Sequence, residues 1–122
     1  MKRFDKKLQG PNGHPIDVTN PGVEIKPGEI SPDHVYSLKR ITEDERFRRL
    51  SPRQQEQITE EMKNYYPLTS TAQSSKSDRT MAEWFLTPEG SRIPTDIREL
   101  LLDIEAQAKE HIDKMIEGFL AR

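Results

Sequence analysis

The stretch from 95 to 120, Thr-Asp-Ile-Arg-Glu-Leu-Leu-Leu-Asp-Ile-Glu-Ala-Gln-Ala-Lys-Glu-His-Ile-Asp-Lys-Met-Ile-Glu-Gly-Phe-Leu, decides the fold. Thr95-Asp96 supplies a capping residue and an acid for a first turn, where the helix dipole favours negative charge. Behind it, Ile97, Leu101, Ile104, Ala108, Ile112, Met115 and Phe119 recur in steps of four and three. That spacing places them on one face of an α-helix, and Leu100, Ile116 and Leu120 widen the stripe. Arg98, Asp103, Lys109, Glu110, Asp113, Lys114 and Glu117 take the opposite, wet face. The period predicts a helix over 96–120, about 36 Å long, and suits a globular partner better than a strict coiled-coil seam.

Working outward, the preceding segments read as short helices joined by turns. Ser77-Asp78 starts a helix over about 79–87 that carries Met81, Trp84, Phe85 and Leu86, and Thr87-Pro88-Glu89-Gly90 closes it. Residues 68–77 are rich in Ser and Thr and read as a linker with nothing to bury. Ser31-Pro32 and Ser51-Pro52 each place an N-cap residue before a proline at the first helical position. Ser51 with Gln54, and Thr42 with Glu45, match the capping box. Helices are therefore expected over about 32–39, 43–50 and 52–65, the last ended by Pro67 and striped by Ile58, Met62, Tyr65 and Tyr66.

The first thirty residues differ. Pro11, Pro15, Pro21 and Pro27 alternate with Gly10, Gly13, Gly22 and Gly28, which leaves no room for a useful helix. Phe4–Leu8 and Ile16–Val18 read as extended pieces around the turn signal Asn12-Gly13, so a small β-hairpin fits there. The resulting expectation is an all-α protein. One long C-terminal helix is packed by three or four short helices in a domain spanning 31–122, and an extended Pro/Gly-rich arm spans 1–30.

Of the 122 residues only 32% are hydrophobic while 33% are charged, and the mean hydropathy is −0.89. So lean an apolar inventory predicts a marginally stable monomer whose long helical stripe seeks cover from another molecule. Self-association or a protein partner is thus expected, through Ile97, Leu101, Ile104, Ile112, Met115, Phe119 and Trp84. The net charge of −2 gives no overall bias toward nucleic acid. No run approaches the ~18 apolar residues of a membrane span. The charged opening Met1-Lys2-Arg3-Phe4-Asp5-Lys6-Lys7 lacks the apolar core of a secretory signal, so a cytoplasmic or virion location is expected.

Catalytic chemistry finds little footing. Without cysteine there is no thiolate nucleophile and no Cys-based metal site. His14, His34 and His111 stand on separate segments with no ligand spacing, so no metal and no cofactor is expected. Glu43-Asp44-Glu45 and Glu60-Glu61 could serve acid–base work, yet they read more simply as first-turn acids and a wet helix face. No phosphate-binding loop, nucleophile elbow or dinucleotide fingerprint occurs. The chain is therefore expected not to be an enzyme.

A basic cluster, Lys39, Arg40, Arg46, Arg48, Arg49 and Arg53, lies beside Tyr36 and Phe47 and offers phosphate contacts from its arginines. Glu43, Asp44 and Glu45 lie within the same window and cancel half of its charge, so ion-paired helices are the favoured reading. Lys2, Arg3, Lys6 and Lys7 form a second small basic patch. The opening pattern Phe4-x-x-x-Leu8-x-Gly10-x-x-Gly13-x-Pro15-Ile16 resembles the first residues of small tailed-phage accessory proteins. That resemblance implies an accessory role and carries over no site residue. Three classes follow: an adaptor or assembly protein, an inhibitor of a host macromolecule of the anti-defence kind, and a helical nucleic-acid or nucleotide binder.

Overall fold

The computed structural model describes residues 6–122; Lys2, Arg3 and Phe4, named above in the basic patch and the first extended piece, lie outside the described residues. The fold is mixed α/β, which corrects the all-α expectation. Four short strands, β1 (Ile16–Asp17), β2 (Asn20–Glu24), β3 (Ile30–His34) and β4 (Tyr65–Thr69), form two antiparallel two-stranded sheets, β1–β2 and β3–β4. Between and after them run α1 (Leu38–Glu43), α2 (Glu45–Arg48), α3 (Pro52–Thr59), α4 (Ser70–Lys76), α5 (Met81–Phe85) and α6 (Thr95–Leu120).

The β3–β4 ribbon overturns two helical readings and the linker. Its register pairs Ile30 with Thr69, Pro32 with Pro67 and His34 with Tyr65. A hydrogen-bonded pair would need two N–H groups that Pro32 and Pro67 lack, so they must face each other at a non-bonded position of the ladder. The intervening Ser31, Asp33 and Val35 then carry the bonds, as the 2.8 Å contact from Val35 N–H to the Asn64 carbonyl illustrates. Ser31-Pro32 is thus a strand dipeptide, although the same two residues are a good helix start. The supposed linker, 68–77, is the end of β4 followed by α4, which Thr69 caps through Ala72 N–H.

The outer edge of β3 is not left open. Gln73 of α4 donates to the Pro32 carbonyl, and Lys76 one turn later donates to the His34 carbonyl at 3.2 Å. The Lys76 side chain is wholly buried, with its ammonium 3.0 Å from the Asp33 carboxylate. Burial pushes Asp33 above the usual carboxylate range, and the neighbouring Lys76 charge offsets only part of that. Directly after Lys76 the chain turns at Ser77 with φ +51° and ψ −130°, the one non-glycine positive φ among the described residues.

Helix α6 occupies the span the periodicity predicts, within a residue of its expected start. Its stripe is not left for a second molecule, however. Ile97, Leu101, Ile104 and Ala108 join a core with Trp84, Met81, Val35, Tyr66 and Leu68. Ile112 and Ile116 join a second core made by Ile41, Phe47, Leu50 and Ile58, with Met115 and Phe119 packed at its margin. No single element is long enough to cover the rod. Several short ones cover it in two halves, a solution that counting helical apolar residues does not anticipate.

Residues within 6–30 contribute to that cover. Leu8, Ile16 and Val18 belong to the same core as Trp84 and Leu101, so this part is not an arm held away from the body. Asn12-Gly13 does make the expected turn: Gly13, at φ +79°, donates to the Gly10 carbonyl at 3.0 Å, and Gln9 bridges to Pro15. The Glu24 carboxylate fastens the loop by accepting from Asn12 N–H, the Asn12 side-chain amide and His14 N–H. Those bonds, the Asn12 side chain foremost, hold Glu24 below its ordinary value.

Candidate functional site

A two-stranded ribbon that packs one face on the core usually turns polar side chains outward. The β3–β4 ribbon does not. Its inner face carries Asp33, Tyr66 and Leu68, all buried. Its outer face carries Ile30, Pro32 and His34 from β3, with Tyr65, Pro67 and Thr69 opposite them. Ile30, Pro32, Tyr65 and Pro67, with Tyr66, Met62 and Glu60, line an open and mainly apolar groove of about 550 Å³. A smaller hollow formed with Leu8, Gln9, Gly13 and Pro15 shares Tyr65, Tyr66 and Pro67 and so continues it.

The end of α3 fixes one rim. The Thr59 carbonyl, left over at the helix terminus, lies 2.8 Å from His34 Nε2 and accepts from the Tyr65 hydroxyl at 3.3 Å. A carbonyl can only accept, so Nε2 carries the hydrogen in this contact. The His34 and Tyr65 rings lie 4.3 Å apart, centroid to centroid, across the strand pair. The next residues project Glu60 and Met62 at the groove, and Met62 is 77% exposed. At the opposite end Ile30 is preceded by Glu29, which lines a polar hollow with Asp17, Thr19, Ser31 and Thr69. The groove on the ribbon face is therefore mainly apolar, with Glu60 at its rim. His34 and Tyr65 are tied to the Thr59 carbonyl at one end, and a separate polar hollow lies beyond Ile30 at the other.

The residues expected to bind a partner lie elsewhere and inside. Trp84, Ile97, Leu101, Ile104 and Ile112 are buried in the chain's own cores, and Met115 and Phe119 are partly covered. The Trp84 indole N–H is satisfied by the Ser75 hydroxyl at 3.0 Å.

The arginine cluster is largely committed to its own chain. Arg46 pairs with Asp44 and Asp113, each at 2.7 Å, and reaches Glu117 at 3.8 Å. Those carboxylates raise Arg46 well above its ordinary value, the Asp44 bond first. Arg46 in turn is the main reason Asp44 is lowered. Burial works to raise Asp113, but Lys109 and Arg46 outweigh it and hold it below the usual range. Arg40 reaches Glu83 at 3.4 Å, and Arg48 donates to the Thr42 carbonyl. Exposed Arg49 and Arg53 alone of the five remain without a side-chain partner among the described residues.

The acidic residues act as local fasteners. Asp44 caps α2, Glu61 accepts from Lys63 N–H, and the other Glu61 oxygen lies 3.5 Å from His111 Nε2. Half-buried Glu105 is raised by desolvation and accepts from Met81 N–H at 2.9 Å, fixing α5 on α6. Among the described residues no group of three or more His, Asp or Glu is placed to hold a metal ion, and no helix is long and apolar enough to cross a membrane.

The ribbon face was missed because Met62, Tyr65 and Tyr66 fit a helical stripe leading from Ile58. The contrary signal was present: Tyr65-Tyr66-Pro67-Leu68-Thr69 is aromatic and β-branched with buried positions alternating, and a proline at its centre is incompatible with a continuing helix. No family model matches the chain, and comparisons with the curated proteins and with the solved structures found no match.

Proposed function

We propose that the protein is a non-enzymatic protein-binding module, an adaptor or assembly factor, whose docking surface is the outer face of the β3–β4 ribbon. The observation that carries this reading is the apolar outer face itself. Ile30, Pro32 and Pro67 point outward where a solvated sheet would place polar groups, and the groove they line is open. The occupant is an extended segment of a partner protein lying along the strands. Edge pairing is a poor route, since Pro32 and Pro67 remove ladder donors and Gln73 and Lys76 cover the β3 carbonyls. Recognition therefore runs through side chains on the face. The anti-defence type of inhibitor is one biological use of such a module and places the same demand on this surface.

The test is selection of a random peptide library on the immobilised chain. Enriched peptides are expected to bind the wild-type chain and to lose binding to Pro32→Glu or Pro67→Glu variants with unchanged circular dichroism. Enriched peptides that bind these variants as well as the wild type contradict the assignment.

A further inference from the structure

The N-terminal turn holds a reactive pair of residues. Asn12-Gly13 is the one Asn-Gly step in the sequence; Asn20 precedes a proline, whose nitrogen carries no hydrogen, and Asn64 precedes Tyr65. Asn12 and Gly13 are both exposed, and glycine sets no Cβ beside its backbone nitrogen. Asn64 by contrast is wholly buried and clamped by Tyr36, accepting from its N–H at 2.8 Å and donating to its carbonyl at 2.9 Å.

In the folded turn both reacting groups are engaged elsewhere. The Asn12 side-chain nitrogen donates to Glu24 Oε1 at 2.8 Å, and the Gly13 N–H donates to the Gly10 carbonyl at 3.0 Å. Glu24 Oε2 accepts from Asn12 N–H at 2.9 Å, so one carboxylate grips Asn12 by side chain and backbone. It lies directly over Gly10, where any Cβ would collide with it.

We infer that Asn12 is a spontaneous modification site, converted by water to aspartate and isoaspartate, and that the Glu24 clasp delays the conversion and is undone by it. When the turn opens, the Gly13 nitrogen gives its proton to hydroxide and attacks Asn12 Cγ. The N–Cγ bond forms and the Cγ–Nδ2 bond breaks, closing a cyclic imide. The departing nitrogen leaves as ammonia, taking a proton from water and restoring the hydroxide. Water then opens the ring at Cγ to give aspartate, or at the Asn12 main-chain carbonyl to give isoaspartate. Both products carry a new negative charge in place of the amide donor, and the Glu24 carboxylate repels it. The turn therefore does not reclose as before. The bonds from Gly10 N–H to the His14 carbonyl, at 2.9 Å, and from Ile25 N–H to the Pro15 carbonyl, at 2.8 Å, lose their support.

The test is peptide mapping by mass spectrometry of the full chain held in mildly alkaline buffer at body temperature for a month. A gain of one mass unit is expected at Asn12, with Asn20 and Asn64 unchanged. In a Glu24→Gln variant with unchanged circular dichroism it is expected to accumulate about fivefold faster. Asn12 intact in both chains overturns the site, and equal rates in the two overturn the role of Glu24. Hydrogen exchange of fresh and aged wild-type chain reads the consequence without any variant. Faster exchange at the Gly10, Gly13 and Ile25 amides is expected in the converted chain, with α6 unaltered. Identical exchange before and after conversion overturns the release of the turn.

Discussion

Replacing Lys76 by Met removes the ammonium that sits 3.0 Å from Asp33 in the interior and leaves a buried carboxylate without its counter-ion. Methionine nearly matches the volume, so little of the effect comes from a cavity. Breaking a buried pair from one side costs about 3–5 kcal/mol. With an unfolding entropy of about 2.1 cal/mol/K per residue, a chain of 122 residues loses about 12–20 °C in melting temperature.

The pH dependence gives a sharper signature. Burial already places the folded-state Asp33 above the usual carboxylate range, so the folded chain binds that proton at a higher pH than the unfolded chain does. Protonation across that window favours folding, and ionisation above it costs stability. Without Lys76 the folded-state value rises further. The deficit of Lys76→Met is therefore full at neutral pH and shrinks as pH falls through the Asp33 titration. Thermal unfolding followed by circular dichroism at neutral pH and near pH 4 measures both. The Lys76→Met/Asp33→Leu double variant, which removes both charges, is expected to recover most of the loss. A single variant melting within about 3 °C of wild type at neutral pH, or a deficit independent of pH, refutes the reasoning.

Three further outcomes follow from particular contacts. In Gly90→Ala the new Cβ would lie 2.0 Å from the Trp84 carbonyl oxygen, backbone against backbone, so denaturant unfolding should show a loss of about 3 kcal/mol. Ser77→Gly relieves a positive φ of 51° and is expected to raise stability by about 1 kcal/mol in the same assay, after the entropy cost of glycine; a decrease contradicts the strain. Arg46→Leu cuts the ties from α2 to α6 and is expected to cost about 1 kcal/mol at neutral pH, because the guanidinium is one-third exposed. Asp44 and Asp113 are held low, so that contribution is present above the ordinary carboxylate range and lost as pH falls through their folded-state values; urea midpoints at neutral and acid pH should converge.

What the sequence conveyed follows the range of the interactions involved. Helix α6 was legible almost to the residue because its period of four and three is local. The capping box at Ser51 and Gln54 was legible for the same reason, and both of its bonds form. A second box, with the same spacing, forms at Thr80 and Glu83, two residues later than the expected helix start. The box read at Thr42 and Glu45 does not form: Asp44 caps α2, while the Thr42 hydroxyl bonds back to the Lys39 carbonyl. Competition between neighbouring caps is decided by packing rather than by spacing.

The ribbon lay beyond a local reading for a different reason. Ile30 meets Thr69 across almost forty residues, and nothing periodic in either strand announces the other. Ser-Pro serves a helix start and a strand edge equally well, so only the long-range pairing separates them. The apolar arithmetic was misleading in the same way. It left the stripe of α6 short of cover from its own chain, whereas Leu8, Ile16 and Val18 of the Pro/Gly-rich stretch help to shelter it.

The most direct measurement is nitrogen–proton correlation spectroscopy of the labelled full chain titrated with a peptide enriched on it. Docking on the ribbon face predicts shifts concentrated at the amides of Ile30, His34, Glu60, Met62 and Tyr65, with α6 undisturbed. Shifts confined to α6 or to residues 39–53, or spread evenly over the chain, contradict it.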